Sequence, residues 1–510
     1  MDPGDSRDLR ERAAPLEIDP ETFRNLGHRV VDAMAELLVS IPRGPVTRGE
    51  APATVRDALG RRGLPRQGED PQGLLDDAMR LLAEHSLFNG HPRFLGYITS
   101  SAAPLGALGD LVAAMVNPNL GGWHLSPIAS EIEAQTVAWI AELLGYPGSG
   151  GLLTSGGNMA NFVGFWAARR HRLPGNVRKN GLAAEAGRRP RIYVSAETHT
   201  WIQKAADLSG LGTDAIRWIQ TDPELRMDMD ALRERIAADL RIGDLPFLVV
   251  GSAGTVSTGA IDPLREIAAV AREHGLWFHV DGAYGAPAAS LPDASPDLKA
   301  LSLADSVAVD PHKWLYAPLE AGCVLVREMK FLRDTFSYHP PYYPDTDPSP
   351  DAPIMYHELG PQNSRGFRAL KVWLALRQAG REGTVRMIDE DIRLARALHH
   401  LAAAHPELEA WTQGLSITTF RFVPPDLRGR EDAAAYLNDL NREIMSRLQS
   451  EGEVFLTNAV VGGAYLLRAC VVNFRTTLGD IEQVPELTAR AGRAIDAALR
   501  PAALRGGGEV

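Results

Sequence analysis

Short apolar runs alternate with helical patterns through the middle of the chain. Runs of the buried-strand type lie at 191–195, 246–251, 276–280, 306–309 and 323–326. Between two of these runs, Asp262 and Pro263 predict the start of a helix that ends near Gly275. Strands that alternate with helices in this way predict an α/β fold with a mainly parallel sheet covered by helices.

The two ends of the chain have helical patterns. Apolar residues recur at helical spacing over 20–39, after a capping Asp19, but this segment has little core of its own and must pack on another surface. Helical patterns return beyond about Gly380, followed by short strands over 415–422 and 465–473. We therefore predict an N-terminal helical dimerisation arm, a large α/β domain and a smaller C-terminal α/β domain, at 1–90, 91–385 and 386–510.

Composition narrows the function. The chain has 510 residues, 45% of them hydrophobic, and a net charge of −11 that argues against nucleic-acid binding. The N-terminal residues lack the apolar core of a secretory signal, and no apolar run is long enough to cross a bilayer, so we expect a cytoplasmic protein without a membrane partner. Cys323 and Cys470 lie in apolar runs, which favours buried thiols over a disulfide, and we predict no metal site.

Polar residues follow the apolar runs at the places where ligands of parallel sheets bind. Such ligands lie beyond the carboxyl ends of the strands. The residues in question are His199, Thr255, Asp281, His312 and Lys313. A further turn, Gly156-Gly157-Asn158, precedes a helical pattern, and free amides at a helix N-terminus suit a phosphate. An ordinary helix start is the alternative for this turn.

Lys313 is the residue on which the chemistry depends. It follows the apolar run 306–309, so we expect partial desolvation to lower its pKa and to make it a nucleophile toward carbonyl carbon. Such a lysine can hold pyridoxal phosphate as a Schiff base. The alternative is a surface lysine at the end of a strand.

Two segments, 279–285 and 304–314, give the chain its most specific resemblance to a known family. They resemble motifs of the group II pyridoxal-phosphate decarboxylases, which include the aromatic-amino-acid, histidine and glutamate decarboxylases. The segments 91–94 and 126–133 support the resemblance. It implies a fold-type I enzyme with a seven-stranded type of sheet, pyridoxal 5'-phosphate as cofactor, and a homodimer with a shared active site.

The resemblance also implies roles for individual residues. Lys313 would form the Schiff base, and Asp281 would keep the pyridine nitrogen protonated. His199 would stack on one face of the ring, and Ala283 would let the sheet approach the other. Read without the resemblance, Asp281 could be a turn cap and His199 a structural histidine.

Further contacts are implied around the ring. Those to the cofactor would come from Gly156, Gly157, Asn158, Thr255, His312 and, from the neighbouring subunit, Ser364. Those to the substrate would come from Tyr97, Ser100, Trp123 and Arg468. Arg468 matches an arginine that anchors the substrate carboxylate in glutamate decarboxylases, and an ordinary strand-edge arginine is the alternative.

The segment 337–360 is rich in Pro and Tyr and has the length of a lid. Counted back from 367–373, Tyr356 falls where the family has a mobile-loop tyrosine that protonates the α-carbon after decarboxylation. A phenylalanine there goes with oxidative deamination in related enzymes. Tyr356 therefore favours simple amine formation.

Three departures from the family bear on the site. Val256 stands where many members have a second Thr, Gly121 and Gly122 stand where aromatic decarboxylases present a bulky aromatic to the partner, and Asp310 stands where animal members often have Asn. A carboxylate at 310 would repel the phosphate unless it points away.

The predicted function is decarboxylation of an L-amino acid to the amine and CO₂. Ser364 resembles the serine that goes with phenolic substrates in plant relatives, so an aromatic substrate is favoured. The alternatives are oxidative deamination to an aldehyde or transamination on the same cofactor. From another class, the chain could be a non-catalytic relative that binds cofactor or a partner protein for regulation.

Overall fold

The computed structural model describes residues 14–60, 63–148, 150–182, 187–338 and 352–505. Its longer helices pack on two sheets and around their edges. They span Pro20–Ser40, Pro52–Leu59, Pro71–His85, Pro104–Val116, Pro127–Leu144, Gly157–Arg172, Trp201–Leu208, Met229–Arg241, Leu264–His274, Met329–Phe336, Ala369–Ala404, Ala434–Glu451 and Leu478–Leu499, with short helices at Val177–Asn180 and Pro296–Lys299.

The large sheet has seven strands. They are β1 (Gly150–Thr154), β2 (Pro190–Ser195), β3 (Ile216–Ile219), β4 (Leu245–Ser252), β5 (Trp277–Asp281), β6 (Ser306–Val309) and β7 (Gly322–Val326). Their order is β1-β7-β6-β5-β4-β2-β3, and only β7 runs antiparallel to its neighbours. The predicted α/β fold with a mainly parallel sheet is confirmed. The apolar pattern missed β1, which begins with two glycines, and the short edge strand β3.

The predicted helix after Asp262 is present, but Asp262 does not cap it. The helix begins at Leu264 and ends before Gly275, which has a φ of +66°. The buried Asp262 carboxylate instead accepts the backbone N–H groups of Met227 and Ser252, both at 2.7 Å. Burial raises the pKa of Asp262 to about 6. Its bond to Ser252 fixes the end of β4, where the pocket described below begins.

A second sheet is antiparallel throughout. It contains β8 (Leu408–Gly414), β9 (Ile417–Phe422), β10 (Thr457–Val461) and β11 (Ala464–Cys470), in the order β10-β11-β9-β8. Cys323 in β7 and Cys470 in β11 are buried free thiols, as predicted. The predicted domain limits stay predictions, and the one at residue 385 lies inside the helix Ala369–Ala404, which kinks at Gly380.

The N-terminal helix Pro20–Ser40 has the predicted start. Asp19 accepts the backbone N–H groups of Glu21 and Thr22 at 2.9 Å. Leu26 is the helix's one buried residue, so most of its apolar side chains face outward. None of the helices in the described ranges combines the length and the apolar character needed to cross a membrane.

Candidate active site

A pocket opens beyond the carboxyl ends of the central parallel strands. Its walls come from the loops after β2, β4, β5 and β6 and from the start of the helix Gly157–Arg172. The sequence-predicted residues that line it are Gly157, Asn158, His199, Thr255, Asp281, Ala283 and Lys313. The carboxyl ends of parallel strands lie at one edge of a sheet, so residues from five separate segments meet at this pocket.

Lys313 forms an ion pair inside this pocket. Its Nζ lies 2.9 Å from Oδ2 of Asp310, a residue that is only 2% exposed. Burial disfavours the ammonium form, but the carboxylates of Asp310 and Asp281 outweigh it and raise the pKa of Lys313 above its usual value. The predicted lowering of this pKa is wrong for the free chain, because the sequence does not show that Asp310 turns toward the amine.

Asp281 is held by two fixed donors. The indole Nε1 of Trp201 donates to its Oδ2 at 2.8 Å, and the backbone N–H of Ala283 donates to its Oδ1 at 3.2 Å. Trp201 is fully buried at the start of the helix Trp201–Leu208. These two hydrogen bonds fix the direction of the Asp281 side chain, and a carboxylate so placed can pair with a protonated ring nitrogen.

Trp201 was missed by the sequence analysis. The available signal was its position two residues after His199, just beyond the loop that follows β2. His199 is exposed, and its Nδ1 accepts the backbone N–H of Trp201 at 3.3 Å. Desolvation by the surrounding protein lowers the pKa of His199, so the ring is neutral at pH 7. Ala283 adds only a methyl group to the pocket wall.

The glycine turn leaves room that a side chain would fill. A Cβ on Gly157 would lie 2.5 Å from Asp310 Oδ2 and 3.0 Å from the Cβ of Ala283. A Cβ on Gly156, whose φ is +152°, would lie 3.3 Å from Cε1 of His312. The turn, Asp310 and His312 thus form one cradle at a helix N-terminus, which fits the phosphate of a cofactor.

The side chains of His312 and Thr255 form hydrogen bonds within the protein. His312 Nδ1 accepts the backbone N–H of Ala321 at 3.1 Å, and burial lowers the pKa of the imidazole. Thr255 Oγ1 accepts the backbone N–H of Ala260 at 3.1 Å and lies 3.2 Å from Thr258 Oγ1. Both residues shape the loops around the pocket.

A histidine outside the predicted set supports β5 from behind the pocket. His279 Nε2 lies 2.7 Å from Oδ1 of Asn161, and its Nδ1 lies 2.7 Å from Oγ of Ser306. Burial lowers the pKa of His279 to about 4, so this network is neutral. Glu197, which also lines the pocket and was not predicted, accepts a hydrogen bond from Ser257.

Arg468 is a buried cation with free donors. It is 2% exposed, and its Nη1 donates to Thr457 Oγ1 at 3.0 Å and to the carbonyl of Tyr97 at 3.3 Å. Its Nε and Nη2 have no hydrogen-bond partner among the described residues. Such a guanidinium is suited to a carboxylate ligand.

The other residues predicted to contact substrate have different environments. Ser100 Oγ donates to the carbonyl of His312 at 3.0 Å, so it supports the lysine loop. The Tyr97 ring is exposed and packs on Phe455, with 6.0 Å between the ring centroids. Trp123 Nε1 donates to Glu131 Oε1 at 2.7 Å, away from the lining of its own chain's pocket. Ser364 is exposed on a loop and is likewise absent from that lining.

The structure does not place Tyr356 in the pocket of its own chain. Tyr356 is 1% exposed, and its hydroxyl donates to the carbonyl of Ser130 at 3.4 Å. The guanidinium of Arg365 lies over its ring, 4.6 Å from the centroid. Burial raises the pKa of Tyr356. Tyr356 is a core side chain in this structure, because it belongs to a buried apolar cluster with Leu152 and Leu359. Residues 339–351 of the predicted lid lie outside the described residues.

Comparison with known proteins agrees with this geometry. The family model for the pyridoxal-dependent decarboxylase conserved domain matches residues 54–422. The chain is 31% identical to an aromatic-L-amino-acid decarboxylase of Bacillus atrophaeus over 92% of this chain and 95% of that protein. It is 28% identical to a phenylacetaldehyde synthase of a Rosa hybrid cultivar over 91% and 93%.

The fold of the chain also matches solved structures. The crystal structure of Oryza sativa TDC with PLP and tryptamine has a TM-score of 0.87 to this chain at 26% identity. The match covers 95% of this chain and 100% of that one. This chain therefore belongs to the pyridoxal-dependent decarboxylase family.

Proposed function

We propose that this chain converts an aromatic L-amino acid to its amine and CO₂ with pyridoxal 5'-phosphate as cofactor. The observation that carries the proposal is the meeting of Lys313, Asp281 and the Gly156-Gly157 turn in one pocket. The relative from Bacillus atrophaeus is named for aromatic substrates, and the rice neighbour holds PLP and tryptamine. Both support the choice of an aromatic substrate.

The bound cofactor supplies an electron sink for the bond that CO₂ leaves. Lys313 provides the amine that holds the cofactor, and it must release a proton to do so. Asp281, fixed by Trp201 and by the Ala283 amide, keeps the ring nitrogen protonated. We assign His199 to one ring face and Ala283 to the other, because both line the pocket beside Asp281.

We assign Arg468 to the substrate carboxylate. Two of its guanidinium nitrogens lack partners among the described residues although the side chain is buried. Leaving buried donors unpaired is unfavourable, so a ligand that pairs with them gains affinity. The contact of Arg468 with the Tyr97 carbonyl connects this cation to the segment that precedes the pocket residue Ile98.

We propose that the active unit is a homodimer. Apolar side chains are exposed along two helices, Pro20–Ser40 and Pro104–Val116; they include Phe23, Val31, Leu38, Leu111, Val112 and Met115. Several large apolar side chains exposed along one helix are typical of a subunit interface. The exposed Ser364 stands beside Arg365, which is anchored by a buried ion pair with Glu133. We assign Ser364 to the partner's phosphate cradle and Trp123 to the partner's pocket, since neither residue lines the pocket of its own chain.

Oxidative deamination to an aldehyde is the second candidate. The rose relative at 28% identity is named as a phenylacetaldehyde synthase. Tyr356 no longer argues against this outcome, because its hydroxyl faces Ser130 and not the pocket. A non-catalytic role is disfavoured by the intact pair of Lys313 and Asp281.

Product analysis tests the proposal. Purified protein loaded with pyridoxal phosphate is incubated with L-phenylalanine, L-tyrosine, L-tryptophan, L-histidine and L-glutamate, and CO₂, amine, aldehyde and peroxide are measured together. We expect equal amounts of CO₂ and amine from the aromatic acids and no peroxide. Aldehyde with peroxide would select the second candidate, and preference for glutamate would contradict the substrate class. Cofactor binding without turnover would indicate a non-catalytic protein.

A further inference from the structure

The carboxylate of Asp310 lies in the cradle proposed for the cofactor's phosphate. Its Oδ2 is 2.9 Å from Lys313 Nζ and 3.7 Å from His312 Nε2. Its Oδ1 is buried and has no hydrogen-bond partner among the described residues. The carboxylate does not point away from the site, since it lines the pocket and approaches the backbone of Gly157.

A phosphate at this turn would meet a second anion. A phosphate monoester has a second pKa near 6, so it is mostly a dianion at pH 7.5. Two anions in contact repel more strongly in a partly buried site than in water. The repulsion can be removed by one proton held between a carboxylate oxygen and a phosphate oxygen.

The groups around Asp310 would compensate only part of the negative charge of its carboxylate and of the phosphate. Lys313 is the one cation in contact with the carboxylate among the described residues, and Asp281 also draws on its charge. His199 and His312 are neutral at pH 7, since desolvation lowers the pKa of both imidazoles. The Cys323 thiol on β7 is protonated, since burial raises its pKa.

We propose that Asp310 links cofactor binding to the uptake of a proton from solvent, which the carboxylate then shares with the bound phosphate. Before binding, the same carboxylate holds Lys313 as an ammonium ion. The proton comes from solvent and forms an O–H bond to a carboxylate or phosphate oxygen, and no other covalent bond is formed or broken in this step. The inference rests on the proposed placement of the phosphate at the Gly156-Gly157 turn.

The proposal makes cofactor affinity depend on pH. Above the phosphate pKa, uptake of one proton weakens binding by about tenfold for each unit of pH. Asn at position 310 has the same shape and can donate a hydrogen bond to the dianion without a proton from solvent. Asp310→Asn should therefore bind with little dependence on pH in this range.

The probe is 4-deoxypyridoxine 5'-phosphate, which lacks the aldehyde and cannot bond to Lys313. Binding to the cofactor-free protein is measured by calorimetry at pH 7.5 in PIPES and in Tris, whose different ionisation enthalpies report the protons exchanged. Asp391→Asn is the matched control. Asp391 is a buried carboxylate outside the pocket lining that accepts from Trp314 Nε1 at 2.9 Å and from Tyr316 Oη at 2.7 Å.

We expect the parent and Asp391→Asn to take up close to one proton and Asp310→Asn to take up close to none. The Kd of the parent should rise about tenfold from pH 7 to pH 8, and that of Asp310→Asn less than twofold. Equal uptake in the parent and Asp310→Asn would overturn the proposal. Zero proton uptake in the parent would also overturn the proposal, and this result does not depend on whether Asp310→Asn folds. Failure of the parent to bind the probe would instead overturn the phosphate placement, and this inference with it.

Discussion

The carboxylates at the two ends of the pocket, Asp281 and Asp310, have different hydrogen-bond partners. At one end both oxygens of Asp281 accept hydrogen bonds from rigid donors, Trp201 Nε1 and the Ala283 amide. At the other end one oxygen of Asp310 pairs with the flexible Lys313, and the second has no partner among the described residues. On the proposed placement of the cofactor, the first end is organised before the cofactor arrives, whereas the second would be completed by it.

This difference has an energetic side. A buried polar atom without a partner costs about 1–3 kcal/mol, so the phosphate end is the less stable end of the free pocket. A ligand that binds only the folded chain stabilises it, by roughly 2.7 kcal/mol at a hundredfold excess over its Kd. On the proposed placement of the cofactor, preorganisation at Asp281 would serve the chemistry, and the unsatisfied Asp310 would serve capture of the cofactor.

The largest effect is expected at the residue that both ends share. Lys313→Ala should lower turnover by roughly 10³-fold or more, because it removes the amine that holds the cofactor. The measurement is CO₂ release from a saturating aromatic acid. The control is Lys330→Ala, which removes an exposed lysine outside the pocket. Turnover within tenfold of the parent in Lys313→Ala would contradict the assignment.

Replacing the aspartate by asparagine at each end of the pocket should have two different effects on kcat. Asp281→Asn should lower kcat by about 100-fold or more, since loss of a buried charged partner costs about 3–5 kcal/mol. Asp310→Asn should leave kcat at saturating cofactor within about tenfold, because it acts on capture and lies at the phosphate. Steady-state rates at saturating cofactor and substrate measure both. A larger loss of kcat in Asp310→Asn than in Asp281→Asn would break the distinction.

A smaller effect is expected at the indole behind Asp281. Trp201→Phe keeps an aromatic ring at this position but removes one hydrogen bond to a charged group, which is worth about 1.5–3 kcal/mol, so kcat should fall roughly tenfold. Trp166→Phe removes a similar indole bond, to Ser209 Oγ at 3.0 Å, outside the pocket lining. The two variants are compared by kcat across pH. Equal rates in both would show that Trp201 has only a structural role.

The smallest effect is expected at Tyr356. Tyr356→Phe removes a 3.4 Å hydrogen bond to a carbonyl, so the free energy of unfolding should fall by about 1 kcal/mol or less. The rate should change less than twofold, and the ratio of amine to aldehyde should stay the same. A shift from amine to aldehyde would restore the hypothesis drawn from sequence. Product analysis with L-phenylalanine or L-tyrosine distinguishes the two results.

The sequence predicted the parts that follow from strand periodicity. Asp281 and Lys313 come directly after buried strands, and parallel strands bring their carboxyl ends to one edge. Trp201 was missed because its contact with Asp281 joins residues 80 positions apart, which leaves no local pattern. The pKa shift of Lys313 was predicted with the wrong sign because side-chain direction at Asp310 is a tertiary property.

Tyr356 shows the limit of counting residues. Its distance along the chain from 367–373 matched the family's tyrosine, but that distance carries no information about packing on Arg365 and Ser130. The glycines at 156 and 157 were predicted for their amides. The sequence does not show the second reason for glycine at these positions, which is that a Cβ there would lie too close to Asp310 or His312.

The central claim is that the amine of Lys313 bonds to the cofactor while Asp281 faces its ring nitrogen. Borohydride reduction of the cofactor-loaded enzyme fixes that bond, and peptide mapping by mass spectrometry locates it. We predict a single pyridoxyl label on Lys313, absent from Lys313→Ala. A label on another side chain, or no label on a protein that retains its cofactor, would contradict the account.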